Sequence, residues 1–176
     1  MRLLMTFLMI ALFTGCSAVD MKQYSSNKPH LDLFSFFQGQ TQGWGIVQDR
    51  KGNLTRQFTV AIEGTVNSDG SLTLVEDFDW SDGEKSKRTW ILTKVGVHSY
   101  TGEAEDVVNS ASGTLYGNVL NWQYKLNLKV DDTTWKINFD DWMYLLNDEI
   151  LLNKATMSKF GLKVGEVNIV FQKNTV

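Results

Sequence analysis

Apolar and polar residues alternate one by one along several segments of the chain that follow Gly43. In residues 119–130, VLNWQYKLNLKV, one side of the alternation is apolar or aromatic and the other is polar or charged. The apolar side consists of Leu120, Trp122, Tyr124, Leu126, Leu128 and Val130. Successive side chains of a β-strand point to opposite faces, so this spacing predicts a half-buried strand. Residues 54–63, 71–80 and 133–140 repeat the pattern.

Turn residues separate these segments. NSDG at 67–70 and SDGEKS at 81–86 interrupt the alternation, and the whole chain holds one proline that could break a strand ladder. The pattern predicts eight to ten strands joined by short connections. Sequential hairpins with one apolar face stack as two sheets or close on themselves, and we favour closure. We therefore predict an all-β fold, a single antiparallel up-and-down β-barrel.

One segment has the spacing of a helix. In HLDLFSFFQG, residues 30–39, Leu33, Phe34 and Phe37 fall on a common side. We predict a short N-terminal helix that plugs one mouth of the barrel, in a barrel domain that covers residues 30–176.

The first fifteen residues match a secretory signal peptide. Arg2 precedes an apolar run over residues 3–13, which is too short to span a bilayer, and small residues lead to Cys16. The Thr-Gly-Cys ending resembles the lipobox of bacterial lipoproteins, although Phe13 stands where the usual pattern has Leu. We predict cleavage before Cys16 and lipid modification of Cys16. Ser17 follows where Asp would resemble an inner-membrane signal, which favours the periplasmic face of the outer membrane. A plain secreted protein with an incidental cysteine is the alternative.

Residues 16–29 are predicted to form the lipidated cysteine and a flexible tether, because they are polar, lack periodicity and end at Pro29. Such a tether averages about 20 Å from end to end. Cleavage would take the net charge from −3 to −4, a balance that argues against binding to nucleic acid. No spacing typical of a metal site, a cofactor or a nucleophile–base pair is recognised, so we predict no metal, no cofactor and no enzymatic activity.

Three charged residues fall on the apolar side of consecutive predicted strands: Arg56, Glu76 and Arg88. A buried charge needs a partner, so we expect the three to meet inside the barrel. Two interpretations stay open. The residues form a structural Arg–Glu–Arg cluster near a rim, or the two arginines have guanidinium donors left to hold the carboxylate or phosphate of a ligand.

Aromatic residues complete this candidate ligand site. Tyr100 and Tyr124 fall on the inner side and supply hydroxyls, and Trp122 supplies a wall for an apolar tail. Tyrosine is ordinary in barrel cores, so a core role is the favoured alternative for Tyr100 and Tyr124, and the tryptophans also fit a large aromatic core. Asp141 lies on the face of Phe139 or caps a turn, because the alternation slips around Trp142.

Four blocks of the sequence resemble an uncharacterised family of proteobacterial lipoproteins, the domain of unknown function 3833. The blocks are WGIVQDRKGNLTRQF (44–58), DGEKSKRTW (82–90), YTGEAEDVVNSASGTLYGN (100–118) and DDWMYLLNDEILLNKATMSKFG (140–161). The resemblance implies a lipocalin-like or calycin-like barrel, and it implies relatives encoded near enzymes that modify membrane fatty acids.

These observations predict a lipid-anchored periplasmic lipoprotein that binds a small amphiphile, a fatty acid or lipid, inside its barrel. The alternative is an accessory lipoprotein with a filled core that docks a partner protein such as a lipid-modifying enzyme. An interior open at one end favours the first function.

Overall fold

The computed structural model describes residues 19–130 and 133–174. It contains ten antiparallel strands, each paired with its neighbour in the chain, and β1 also pairs with β10 to close a barrel. The strands are β1 (Gly39–Asp49), β2 (Leu54–Val66), β3 (Leu72–Trp80), β4 (Lys85–Lys94), β5 (Ser99–Glu103), β6 (Ala111–Tyr116), β7 (Val119–Val130), β8 (Thr133–Leu145), β9 (Ile150–Lys159) and β10 (Leu162–Lys173). The predicted all-β, up-and-down barrel is confirmed.

The predicted alternation is visible in the burial of single strands. Along β2, Phe58, Val60, Ile62 and Gly64 are buried, whereas Ala61 and Glu63, which alternate with them, are exposed. The turn at residues 67–70 fixes the register of β2 against β3, so that Ile62 lies opposite Glu76. One face of each strand therefore forms the core, and the other forms the outer surface of the barrel.

A short helix closes one end of the barrel, as the sequence predicted. Helix α1 (Leu33–Phe37) begins after Asp32, whose carboxylate accepts a hydrogen bond from the backbone N–H of Ser35 at 2.9 Å. Leu33, Phe36 and Phe37 are buried, and the ring of Phe37 lies 5.6 Å from that of Phe171 on β10. We call this end, where β2 and β10 finish, the closed end.

The segment that precedes the barrel differs from the predicted flexible tether. Residues Met21–Tyr24 form a 3-10 helix beside β6, and the ring of Tyr24 contacts Trp142 edge-on, with 6.5 Å between the ring centroids. The backbone N–H of Leu31 donates to the carbonyl of Gly117 in the β6–β7 turn at 2.8 Å. An aromatic contact and backbone hydrogen bonds thus hold this segment against the barrel, whereas its polar composition predicts no such contacts.

The predicted signal peptide, residues 1–15, and Cys16 lie outside the described residues, so cleavage and lipidation stay predictions. Among the described residues, no helix is long and apolar enough to cross a bilayer.

Candidate functional site: an open barrel end above a buried polar cluster

The end of the barrel opposite helix α1, which we call the mouth, is open to solvent. Inward-facing side chains near this end, among them Val47, Phe78, Trp80 and Met157, are only partly buried. Because they point into a closed barrel, the surface that they expose lines its interior. At the closed end, by contrast, the inward residue Leu72 is fully buried. The interior is therefore fully packed at the closed end and more exposed to solvent near the mouth, and we call this mouth-side part of the interior the cup.

Glu76, Arg88 and Asp106 meet partway down this cup. Glu76 on β3 lies directly opposite Arg88 on β4 in the strand register. The Arg88 guanidinium donates to the Asp106 carboxylate at 2.8 Å, and the Arg88 side chain keeps 26% of its surface exposed. Glu76 is four residues from Trp80 at the end of β3, a distance of about 13 Å along the strand.

A second group of polar residues lies beside the first. The Tyr124 hydroxyl donates to Asp141 at 3.3 Å, and the Asn153 amide donates to the same carboxylate oxygen at 3.4 Å. Asp141 is 4% exposed and Asn153 is 3% exposed. We call the residues of both groups the polar cluster; its members are Glu76, Arg88, Asp106, Tyr124, Asp141 and Asn153.

Burial dominates the electrostatics of this cluster. Burial raises the pKa of Glu76 to about 7, although the positive charge of Arg88 opposes the rise. Burial likewise raises the pKa of Asp141 to about 7, against the hydrogen bonds from Asn153 and Tyr124. The pKa of Tyr124 is raised by burial and by the Asp141 charge, so its hydroxyl is neutral and donates. Near pH 7 each of the two carboxyl groups is therefore about half protonated.

Several buried oxygens in the cluster have no hydrogen-bond partner within the described residues. They are one carboxylate oxygen of Asp106, one of Asp141 and the amide oxygen of Asn153. Buried polar atoms without partners are costly, and nearly all such atoms in proteins bind protein, water or ligand. The polar cluster therefore contains three acceptor oxygens that a hydrogen-bond donor, from water or from a ligand, would satisfy.

The structure corrects the expectation that Arg56 joins Glu76 and Arg88. Ile62, six residues along β2 from Arg56, is the residue opposite Glu76, which places Arg56 about 20 Å away along the strand. The Arg56 guanidinium instead lies at the mouth, where it binds Asp82 at 2.8 Å and Glu84 at 2.9 Å. It also stacks over Trp80, with 3.9 Å between the guanidinium carbon and the ring centroid.

The other predicted site residues divide between the cluster and the floor. Tyr124 belongs to the cluster. Trp122 is buried beside it, and a Cβ atom added at Gly113 or Gly102 would lie 2.4 or 2.5 Å from its ring, so the indole fills the space that two glycines leave. Tyr100 is buried near the closed end, with its ring 6.1 Å from that of Phe34. Trp122 and Tyr100 thus form the packed floor.

Three cluster residues were not among the predicted site residues. The alternation of apolar and polar residues places Asp141 on the inner face. Strand β8 continues without a turn through Leu145, so the alternation holds at this position. Asn153 lies on the same face of β9 as the buried residues Leu151 and Ala155, a pattern that the sequence contains. Asp106 lies in the connection between β5 and β6, where no periodicity indicates a direction.

The outer surface carries a separate apolar feature. A depression of about 520 Å³ is lined by residues of β1, β2, β3, β9 and β10, most of which point away from the interior. Trp44, Ile46 and Val170 in it are 47%, 38% and 40% exposed. We call this the outer depression.

The fold defines the class of this protein: a lipocalin-like, ten-stranded antiparallel barrel with a short helix over one end. The chain belongs to the family described as protein of unknown function (DUF3833), whose model matches residues 10–173. The resemblance drawn from the four sequence blocks is thereby confirmed. No curated protein matches the chain.

Two solved structures share the fold at low sequence identity. One is an S-type phycobiliprotein lyase from Guillardia theta, with a TM-score of 0.61 and 8% identity over 81% of this chain and 91% of that chain. The other is a protein of unknown function of the DUF3598 family from Nostoc punctiforme, with a TM-score of 0.58 and 10% identity over 84% of this chain and 51% of that chain. At these identities the likeness concerns the fold.

Proposed function

We propose that this protein binds a small amphiphile inside its barrel. The observation that carries the proposal is the exposed inner surface at the mouth, which ends at a buried cluster of polar groups. Apolar walls with a few convergent polar groups at one point are typical of small-molecule sites. An amphiphile would place its polar end on the cluster and its apolar chain between the walls.

The walls suit an apolar chain of modest length. The rings of Phe78 and Trp80 stack at 5.8 Å, and Phe58 lies 4.8 Å from Trp80. Burial of apolar surface against such rings stabilises a bound chain by roughly 25 cal/mol per Å². With about 13 Å of strand between the cluster and the mouth, a longer chain would emerge past the rim.

We further propose that the protein acts as a lipoprotein anchored through Cys16 to the periplasmic face of the outer membrane. The lipobox-like ending before Cys16 supports this proposal. Cys16 is three residues from Val19, a span of about 10 Å when extended, and the segment that follows Val19 packs near the β6–β7 turn at the closed end. An anchor there would hold the closed end near the membrane and leave the mouth facing the periplasm.

One observation favours a second candidate function, the docking of a partner protein. The outer depression exposes Trp44 and Ile46 side by side with Val170, and exposed tryptophan is typical of protein interfaces. A lipid-modifying enzyme would be a suitable partner.

A matched pair of substitutions separates the two functions. Val47 and Ile46 are adjacent on β1, but Val47 faces the interior at the mouth and Ile46 faces the outer depression. We would titrate the full chain, carrying Cys16→Ser and purified without detergent, with decan-1-ol by calorimetry. Binding inside the barrel predicts that Val47→Phe weakens binding at least tenfold and that Ile46→Phe leaves it unchanged.

The opposite results would contradict the proposal. If Val47→Phe binds as the parent does, the interior is not the site. If Ile46→Phe alone weakens binding, the outer depression holds the ligand. If neither the parent nor the variants bind decan-1-ol, the docking function gains the stronger support.

A further inference from the structure

The polar cluster holds more carboxyl groups than cations. Glu76, Asp106 and Asp141 face a single arginine, Arg88, which already binds Asp106 and lies opposite Glu76. Two cations at the mouth are engaged elsewhere: Arg56 binds Asp82 and Glu84, and the Lys159 ammonium lies over the Trp135 ring, 3.1 Å from its centroid. The interior thus has no uncommitted cation among the described residues.

The atoms without partners in the cluster are all acceptors. One oxygen of Asp141 and the amide oxygen of Asn153 lie on side chains that are more than nine-tenths buried, and both residues point into the barrel. A carboxylate or phosphate brought to these atoms could not donate a hydrogen bond to them, and its negative charge would be repelled by the carboxylates. A group that donates hydrogen bonds would satisfy them.

We propose that the cluster selects amphiphiles whose polar end donates hydrogen bonds, with a primary amine bound best, a hydroxyl next and a carboxylate least. This inference rests on the proposed binding function and narrows its ligand class. It replaces the expectation, drawn from the inward arginines, that a carboxylate or phosphate is held. An ammonium group donates three hydrogen bonds and also carries the charge that the cluster lacks.

The protonation of the cluster makes this selectivity depend on pH. Asp141 faces Tyr124 and Asn153 across β7 and β9, with Asp140 beside it on its own strand and the Arg88 charge nearby. Glu76 faces Arg88 and Asp106. At pH 8 both acids are mostly ionised and favour an ammonium group. Below pH 6 both are mostly protonated, and the preference for an ammonium group over a carboxylate shrinks.

The test compares three probes that share a ten-carbon chain: decylamine, decan-1-ol and decanoate. Each is titrated by calorimetry into the full chain carrying Cys16→Ser, at pH 8 and at pH 5.5. At pH 8 we expect the Kd for decylamine to be at least tenfold lower than that for decanoate, with decan-1-ol between them. At pH 5.5 we expect the ratio to fall below threefold.

Asp141→Asn removes the charge and should bring decylamine and decanoate within threefold at pH 8, whereas the exposed control Asp148→Asn keeps the parent ratio. The comparison of the three probes on the parent protein needs no variant. It therefore tests the inference even if Asp141→Asn fails to fold. Equal or tighter binding of decanoate at pH 8 overturns the inference while the binding function stands. Absence of binding by all three probes to folded protein overturns both.

Discussion

Replacement of Asp141 by Asn should change how the stability of the barrel depends on pH. The carboxyl group has an ordinary pKa of 3.8 and a pKa of about 7 in the folded protein. Between those values the folded state binds a proton that the unfolded state does not, so the free energy of unfolding falls as pH rises through this window. From pH 5 to pH 8, the loss due to Asp141 is about 3 kcal/mol.

Glu76 contributes a loss of similar size and direction, because its pKa rises from 4.5 to about 7. The parent protein should therefore lose about 5 kcal/mol between pH 5 and pH 8, and Asp141→Asn about half of that. Asparagine keeps the shape and an acceptor for the Tyr124 hydroxyl but cannot ionise. At pH 8 the variant should be more stable than the parent.

Urea unfolding followed by far-ultraviolet circular dichroism at pH 5 and pH 8 measures these differences. Asp148→Asn makes the same chemical change at an exposed turn position and should retain the parent's pH dependence. If Asp141→Asn also retained it in full, Asp141 would not be the buried acid described above, and the electrostatic account of the cluster would be wrong.

Three further predictions concern the floor, the mouth and the N-terminal segment. Gly113→Ala should lower the free energy of unfolding by about 1–3 kcal/mol, because its Cβ would lie 2.4 Å from the Trp122 ring, whereas Gly96→Ala meets only ordinary contacts and should be neutral in the same urea assay. Arg56→Ala removes ion pairs that are partly exposed, so the free energy of unfolding should fall by about 1 kcal/mol or less. The Kd of this variant for decan-1-ol should stay within twofold of the parent value. A tenfold loss of affinity would show that Arg56 contacts the ligand. Tyr24→Ala should speed proteolytic cleavage within residues 19–30 without changing the urea midpoint, and an unchanged cleavage rate would show that the contact with Trp142 does not hold the segment.

The strands were predictable from the alternation of apolar and polar residues, because each strand has one face toward the core and one toward solvent. In β7, the apolar and polar positions of the sequence match the inward and outward positions of the strand for Leu120, Trp122 and Leu126. The helix was predictable for the same reason, since its apolar side had to cover an open barrel end. These features depend on local spacing alone.

The sequence predicts the contacts of the candidate site only where a short turn fixes the register between two neighbouring strands. The turn at residues 81–86 places Glu76 opposite Arg88, as the sequence suggested. The turn at 67–70 also sets the β2–β3 register, so it contained the signal that Arg56 could not reach Glu76. The position of Asp106 depends on the path of an irregular connection, which no periodicity records.

The methionine methyl groups report directly on whether an amphiphile enters the barrel through its mouth. Met157 faces the interior at the mouth, whereas Met21 lies in the 3-10 helix outside the barrel. With carbon-13 in the methionine methyl groups, saturation with decan-1-ol should shift the NMR signal of Met157 and leave that of Met21 in place. An unmoved Met157 signal at saturation, with or without a shift of Met21, would contradict binding inside the barrel.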